Sequence, residues 1–208
     1  SVAGVGVTLV ATGAGSDITL NGAVNGNAGN VTLNAAGLLT ANALISSTTG
    51  NLLLTGGTGV THGVNGDLTT TGVGTIGVTA TVGAVTMADG TIYSTGSGQV
   101  DVAAETNVLL GEITTTSSVI NVTAGSGASI VGAITDNTAL ETPNITSPNT
   151  VTLLAEQGIG AAGVGADINT AIGTLVATNN LTGDIFVLDT NGLIIGGTGV
   201  RTLAGNGN

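Results

Sequence analysis

The sequence predicts an all-β fold, a parallel β-solenoid, and three observations predict it. A short phrase keeps returning: a small or polar residue, two to four aliphatic or Thr positions, then a Gly, Asn, Ala or Thr break. It reads Ser16-Asp17-Ile18-Thr19-Leu20-Asn21-Gly22, Gly29-Asn30-Val31-Thr32-Leu33-Asn34-Ala35, Gly50-Asn51-Leu52-Leu53-Leu54-Thr55-Gly56, Gly98-Gln99-Val100-Asp101-Val102-Ala103, Asn149-Thr150-Val151-Thr152-Leu153 and Gly183-Asp184-Ile185-Phe186-Val187-Leu188. A strand-length unit repeated this often marks a repeat architecture rather than a globular enzyme. Long straight-chain helix formers are scarce while Gly, Thr and Val abound, so helix content should be close to nil. Tyr93 and Phe186 are the only aromatic residues. Without large rings the core must be thin and regular, built of Val, Ile and Leu in stacked layers.

The same composition excludes several classes of function. Charged residues make up 6% of the chain, against roughly 25% in ordinary soluble domains. The net charge is −11 and Arg201 is the one basic side chain. Nucleic-acid binding needs Lys and Arg to displace counterions from phosphates, and attraction to anionic lipid heads needs them too. Cysteine is absent, which removes disulfides, thiol catalysis and thiolate metal sites. No aliphatic run approaches the ~20 residues of a membrane helix. Gly- and Asn-rich chains are often disordered, but 41% of these residues are apolar and they cluster in strand-like runs.

Taken in order, the aliphatic phrases begin near Ile18, Val31, Leu52, Leu68, Val78, Val85, Val100, Val108 and Val119. Even spacing of short strands suits a sandwich, a barrel or a solenoid. Hairpin signals are too few for a meander: Asn21-Gly22, Asn25-Gly26, Asn65-Gly66 and Asn191-Gly192 are the candidates. A sandwich core would want aromatics, whereas stacked rungs accept aliphatic ladders. About 20 residues per rung and a rise of about 4.8 Å give roughly ten rungs and a rod on the order of 50 Å. Gly at the breaks is expected to turn the corners through left-handed backbone or close backbone approach, and Asn through the same left-handed region. Segments 138–141 and 156–159 come nearest to helical turns. Pro143 and Pro148 both fall in 141–148, read as a loop bulging from a rung. Residues 53–60 echo residues 193–200 at an offset of 140, about seven such rungs.

The phrases Gly50-Asn51-Leu52-Leu53-Leu54-Thr55-Gly56-Gly57, Gly66-Asp67-Leu68-Thr69-Thr70 and Gly29-Asn30-Val31-Thr32-Leu33-Asn34-Ala35 resemble the repeats of filamentous-haemagglutinin-type adhesins and related giant repetitive bacterial surface proteins. The resemblance lies in composition and period and covers most of the chain. It implies a right-handed parallel β-helix, export across the outer membrane, and a role in adhesion or extracellular structure. The conserved secretion domain of that family is not visible in the sequence.

Few residues are candidates for chemistry. The twelve carboxylates are Asp17, Asp67, Asp89, Asp101, Glu105, Glu112, Asp136, Glu141, Glu156, Asp167, Asp184 and Asp189. A glycosidase needs two of them across one cleft, for which Asp101 with Glu105 or Glu112 with Glu141 could serve. Sugar-binding walls usually add aromatics, and uronate sites add Arg or Lys; the sequence is poor in both. Calcium is the one cofactor worth weighing, with Asp184, Asp189 and Asn191 close together around one strand. Residues 196–201 lack the Asp of the calcium-binding nonapeptide. His62 is the only histidine, placed in a loop between Val60 and Val64, so no metal or triad set forms around it. Arg201 could pair with a nearby carboxylate. Asn30, Asn121, Asn144 and Asn180 open glycosylation sequons; Asn144, in its loop, is the best site if any is modified. Thr-x-Thr pairs invite an ice-binding rank, but the Thr clusters start 10, 35 and 36 residues apart, whereas a flat rank needs one period.

These readings converge on residues 1–208 as a single β-solenoid segment that is non-catalytic. It would serve as a structural or adhesive scaffold, secreted to the bacterial cell surface. The start at Ser1 and the lack of polar caps lead us to expect a piece of a longer repetitive chain, continuing into further repeats or associating end to end with a second copy. A host or surface glycan or protein is the expected receptor class. A carbohydrate-binding or carbohydrate-cleaving β-helix, or an ice- or surface-binding solenoid, is the alternative.

Overall fold

A strand with aliphatic residues at alternate positions buries one face, and these strands bury theirs against each other. A computed structural model describes residues 6–127, 131–163 and 165–203. The chain winds as a parallel β-solenoid of about eight turns of roughly 24 residues. No helix occurs among the described residues; 138–141 and 156–159 are bends and short connections.

Each regular turn has three strands. The first face stacks Val7–Ala11, Val31–Ala35, Leu52–Gly56, Ile76–Ala80, Val100–Ala104 and Ile120–Ala124. The second stacks Ile18–Leu20, Leu38–Ala41, Gly59–His62, Val85–Met87, Val108–Leu110 and Ile134–Asp136, then single bridges at Ile159 and Ile185. The third stacks Val24–Asn25, Ile45–Ser47, Leu68–Thr70, Ile92–Thr95 and Glu112–Thr115. Two long strands, Ile145–Ala155 and Ile168–Asn179, run through the corner from third face to first, so these faces share one sheet. Val187–Asp189 and Ile195–Thr202 then pair with the two halves of Ile168–Asn179.

Pairing is parallel throughout and joins equivalent positions. Val31, Leu52, Ile76, Val100, Ile120 and Val151 form one inward ladder, and Leu33, Leu54, Val78, Val102, Val122 and Leu153 the next. All twelve are buried. The turns exceed the expected 20 residues because each carries three strands and three corners, and their lengths vary. Val100 pairs Ile120, an offset of 20, whereas Ile120 pairs Val151, an offset of 31. The 140-residue echo is out of register, since Leu52 stands six turns and 143 residues before Ile195.

The corners use their Gly residues in both expected ways. Some take left-handed backbone, among them Gly15 at φ 70°, Gly90 at 86° and Gly125 at 87°. Several stand where turns approach too closely for a side chain. A Cβ on Gly98 would lie 1.8 Å from Gly74 O, one on Gly74 2.2 Å from Gly50 O, and one on Gly50 2.1 Å from Gly29 O. The Asn residues, unlike the Gly, are not there for left-handed backbone: Asn27 is the one non-Gly residue with positive φ among those described. Their side chains act instead. Oδ1 of Asp17, Asn30, Asn51, Asp67, Asn107 and Asn144 accepts the backbone N–H of Leu38, Asn51, Thr75, Ile92, Ala133 and Asn169 respectively, at 2.7–2.9 Å. Each donor belongs to the following turn, so every such bond ties two turns at a corner.

Residues 141–148 are not one loop. The departure covers 137–144, and Ile145–Ser147 has already rejoined the third face. Pro148 falls where the register shifts between Ser147 and Thr150, a bulge where its missing N–H disrupts no ladder.

Gly98→Ala should therefore lower stability by about 1–3 kcal/mol, the range for overpacking. Gly77→Ala, whose Cβ would meet only the end of the Leu53 side chain at 3.1 Å, should be neutral or stabilising by up to about 1 kcal/mol. Guanidinium unfolding midpoints of the two variants check this; equal midpoints would show the corner to be slack.

Candidate functional site

The regular turn is narrow and its inward side chains fill it, so chemistry must come from departures. Two long ones lie at the corner between second and third faces. That corner is a single residue, Gly111, in one turn, but segments 137–144 and 160–167 in the next two.

Segment 137–144 folds back into a polar cluster. Asp136 Oδ1 accepts from Thr138 N at 2.7 Å, Thr138 Oγ1 at 2.8 Å and Asn144 Nδ2 at 2.6 Å. Asn137 Nδ2 reaches Met87 O at 2.6 Å. Asn169 Nδ2 donates to Glu141 Oε2 at 3.1 Å, and Thr142 Oγ1 to Glu112 Oε1 at 3.4 Å. Glu112 and Glu141 are thus drawn to the same corner. Beside them lies a cleft of about 360 Å³, with Glu141 and Asp167 on its wall next to Phe186 and Leu188. Asp101 and Glu105 form no such site. Asp101 faces outward from the first face, accepting from Gln99 Nε2 and Asn121 Nδ2, and Glu105 lies beyond the end of that strand.

Asn144 does not project from a loop. It is fully buried, its Nδ2 bonded to Asp136 and its Oδ1 taking Asn169 N. In the folded chain that nitrogen is closed to a glycosylating enzyme, so the expectation of an exposed sequon is corrected.

Of the calcium candidates, Asp189 and Asn191 meet, but through the backbone. Asp189 Oδ1 accepts from Asn191 N at 3.1 Å and Gly192 N at 2.8 Å; Oδ2 accepts from Thr170 Oγ1 at 2.9 Å and Ile172 N at 3.2 Å. Asp184 is exposed at a different corner of that turn and shares a cleft of about 440 Å³ with Arg201. Among the described residues no three His, Cys, Asp or Glu side chains converge as a metal site. Arg201 directs Nε at Thr178 Oγ1, 3.4 Å away, and no carboxylate pairs with it among the described residues.

His62 is not in a loop. It ends the strand Gly59–His62, buried among aliphatic side chains. Its ring meets that of Tyr93 edge to face, centroids 5.0 Å apart, so the chain's one His and one Tyr pack together. Nδ1 lies 2.6 Å from Gly66 O. A carbonyl only accepts, so the proton sits on Nδ1 and Nε2 keeps a bare lone pair. Nε2 and the Tyr93 hydroxyl are both buried without a hydrogen-bond partner among the described residues. Burial lowers the His62 pKa from 6.5 to about 4, outweighing the bond to Gly66, and pushes the Tyr93 hydroxyl up.

A second set of inward polar residues went unread in the sequence. Ser47, Thr70, Thr95, Thr115 and Ser147 are buried at the corner leading to the first face. Their hydroxyls donate to backbone carbonyls there, including Ser47 to Gly29, Thr70 to Gly74 and Thr95 to Gly98. The signal was available: each lies two positions after an inward residue such as Leu68 or Ile113, and strand alternation puts it on the same face.

Compared with known proteins, the chain matches no family model, no curated protein and no solved structure.

His62 makes a direct prediction. Its folded pKa lies below its unfolded one, so its contribution to stability is complete above about pH 6.5 and is lost as pH falls toward 4. The loss should reach about 3 kcal/mol at the acid end. His62→Leu should remove that part of the acid sensitivity and leave the part due to carboxylates. Unfolding midpoints of both proteins across this range test it; parallel curves would show that His62 is protonated in the fold without penalty.

Proposed function

We propose that this chain is a segment of a non-catalytic structural or adhesive scaffold, secreted to a bacterial surface or filament, in line with the family its repeats resemble. The observation that carries the reading is where the polar groups go. Corner side chains bond neighbouring turns, as Asn30, Asn51 and Asp67 do to the turn that follows and Ser47, Thr115 and Ser147 do to the turn before, which stiffens a rod. Receptor contact then falls to the departures at 137–144 and 160–167. Beads coated with the protein, offered a panel of glycans and matrix proteins, test this. Retention of a panel member without turnover is expected. Cleavage of a glycan would replace the reading with the enzymatic one, for which Glu141 and Asp167 in their cleft are the candidate pair.

The scaffold reading also predicts a mechanical signature. Stretched between its ends, the folded chain should lengthen in steps of one turn. A turn of roughly 24 residues releases about 80 Å of extended chain. A featureless extension would defeat it.

One observation favours a second reading, a module that binds an ordered surface such as ice. Thr19, Thr40, Thr61 and Thr86 stand in register as one outward file on the second face, despite uneven sequence spacing. Thermal hysteresis of the purified protein, lost in Thr61→Lys, would support it; ice growth unchanged by the protein would remove it.

A further inference from the structure

The chain holds five Asn-Gly pairs; the one at Asn206 lies outside the described residues, and the described four are at Asn21, Asn25, Asn65 and Asn191. In such a pair no side chain shields the Gly nitrogen from the Asn carboxamide, so ring closure between them is sterically open. The fold separates the four. Gly26 N donates to Ser46 O at 2.9 Å and Gly66 N to Gly63 O at 2.7 Å. Gly192 N donates to Asp189 Oδ1 at 2.8 Å. In each, the amide proton is held and the nitrogen is fixed in place. Gly22 N makes no hydrogen bond within the described residues. Asn21 and Gly22 are both exposed, and a Cβ on Gly22 would meet nothing within 4 Å, so a five-membered ring has room. The Asn21 side chain has one bond, from Asn42 Nδ2 to its Oδ1 at 2.9 Å. That leaves Nδ2 free to depart. It also places a donor on the oxygen that gathers negative charge as the ring closes.

We propose that Asn21 is a site of spontaneous succinimide formation and deamidation in the folded protein, and that the other three described pairs, at Asn25, Asn65 and Asn191, are protected by the fold. Hydroxide removes the Gly22 amide proton, and the nitrogen bonds to Asn21 Cγ. The Cγ–Nδ2 bond breaks and ammonia leaves with a proton drawn from water. Water then opens the ring at either carbonyl and yields aspartate or isoaspartate at position 21. One water is consumed, one ammonia is released, and no electrons are transferred. The product adds a negative charge beside Asn42. In the isoaspartyl form it also adds a methylene to the main chain between the strands Ile18–Leu20 and Val24–Asn25.

Incubating the folded chain in mildly alkaline buffer, then fragmenting the intact protein in a mass spectrometer, tests this. The expected result is a gain of one mass unit that, among the four described pairs, is confined to Asn21, isoaspartate being detected by isoaspartyl methyltransferase labelling. In denaturant all five Asn-Gly sites should react. Gly22→Ala should remove most of the gain at Asn21 while the protein stays folded by circular dichroism. Equal gain at Asn25, Asn65 or Asn191 in the folded chain would overturn the proposal. So would an Asn21 that reacts only in denaturant.

Discussion

The rest of the structure depends on the spacing of about 4.8 Å between parallel turns. At that distance each backbone amide of a strand finds a carbonyl in the neighbouring turn, and each side chain stands directly over its counterpart. A residue is therefore judged against the equivalent residue above and below more than against its sequence neighbours. Val, Ile and Leu satisfy that test indefinitely, as the ladder from Val31 to Val151 does. Inside the coil the exceptions include His62, Tyr93, Asn144 and the corner hydroxyls, and each polar group there must find a hydrogen-bond partner or go without.

The corners meet the same constraint by other means. A strand can pair all its amides; a corner cannot, because its backbone turns out of the ladder. Asn and Asp before a strand supply the missing acceptor to the next turn, as Asn51 does for Thr75. Buried hydroxyls supply donors to corner carbonyls, as Thr95 does for Gly98. Gly lets two turns come within a distance that any Cβ would block, as at Gly74 and Gly98. The recurring Gly-Asn-aliphatic phrase combines two of these devices with the start of a core ladder.

This explains what could be read from the sequence. Alternation gave the all-β class and the inward positions, since Leu52 and Leu54 or Val100 and Val102 lie on one face whatever surrounds them. The turn length was not legible. Corners range from Gly111 alone to eight residues or more, as at 137–144, so no fixed period exists to be counted. The same irregularity hid the Thr file on the second face, whose members align only after the corners are folded. His62 misled because a lone polar residue beside Gly63 reads as loop, whereas its position two after Val60 puts it in the core. Asn144 misled in the same way: two prolines flanking it suggested exposure, yet its amide is needed inside to satisfy Asp136 and Asn169.

The uneven corners have an evolutionary consequence. Between one turn and the next the chain gains eleven residues, and Ile120 still pairs Val151 in register. Length added at a corner stays at that corner and does not propagate along the coil. Each turn is thus an independent reading frame for variation, in which insertions can be tried, kept or lost one at a time. A coil built this way can acquire new protrusions by small genetic steps, without redesign of the core that carries them.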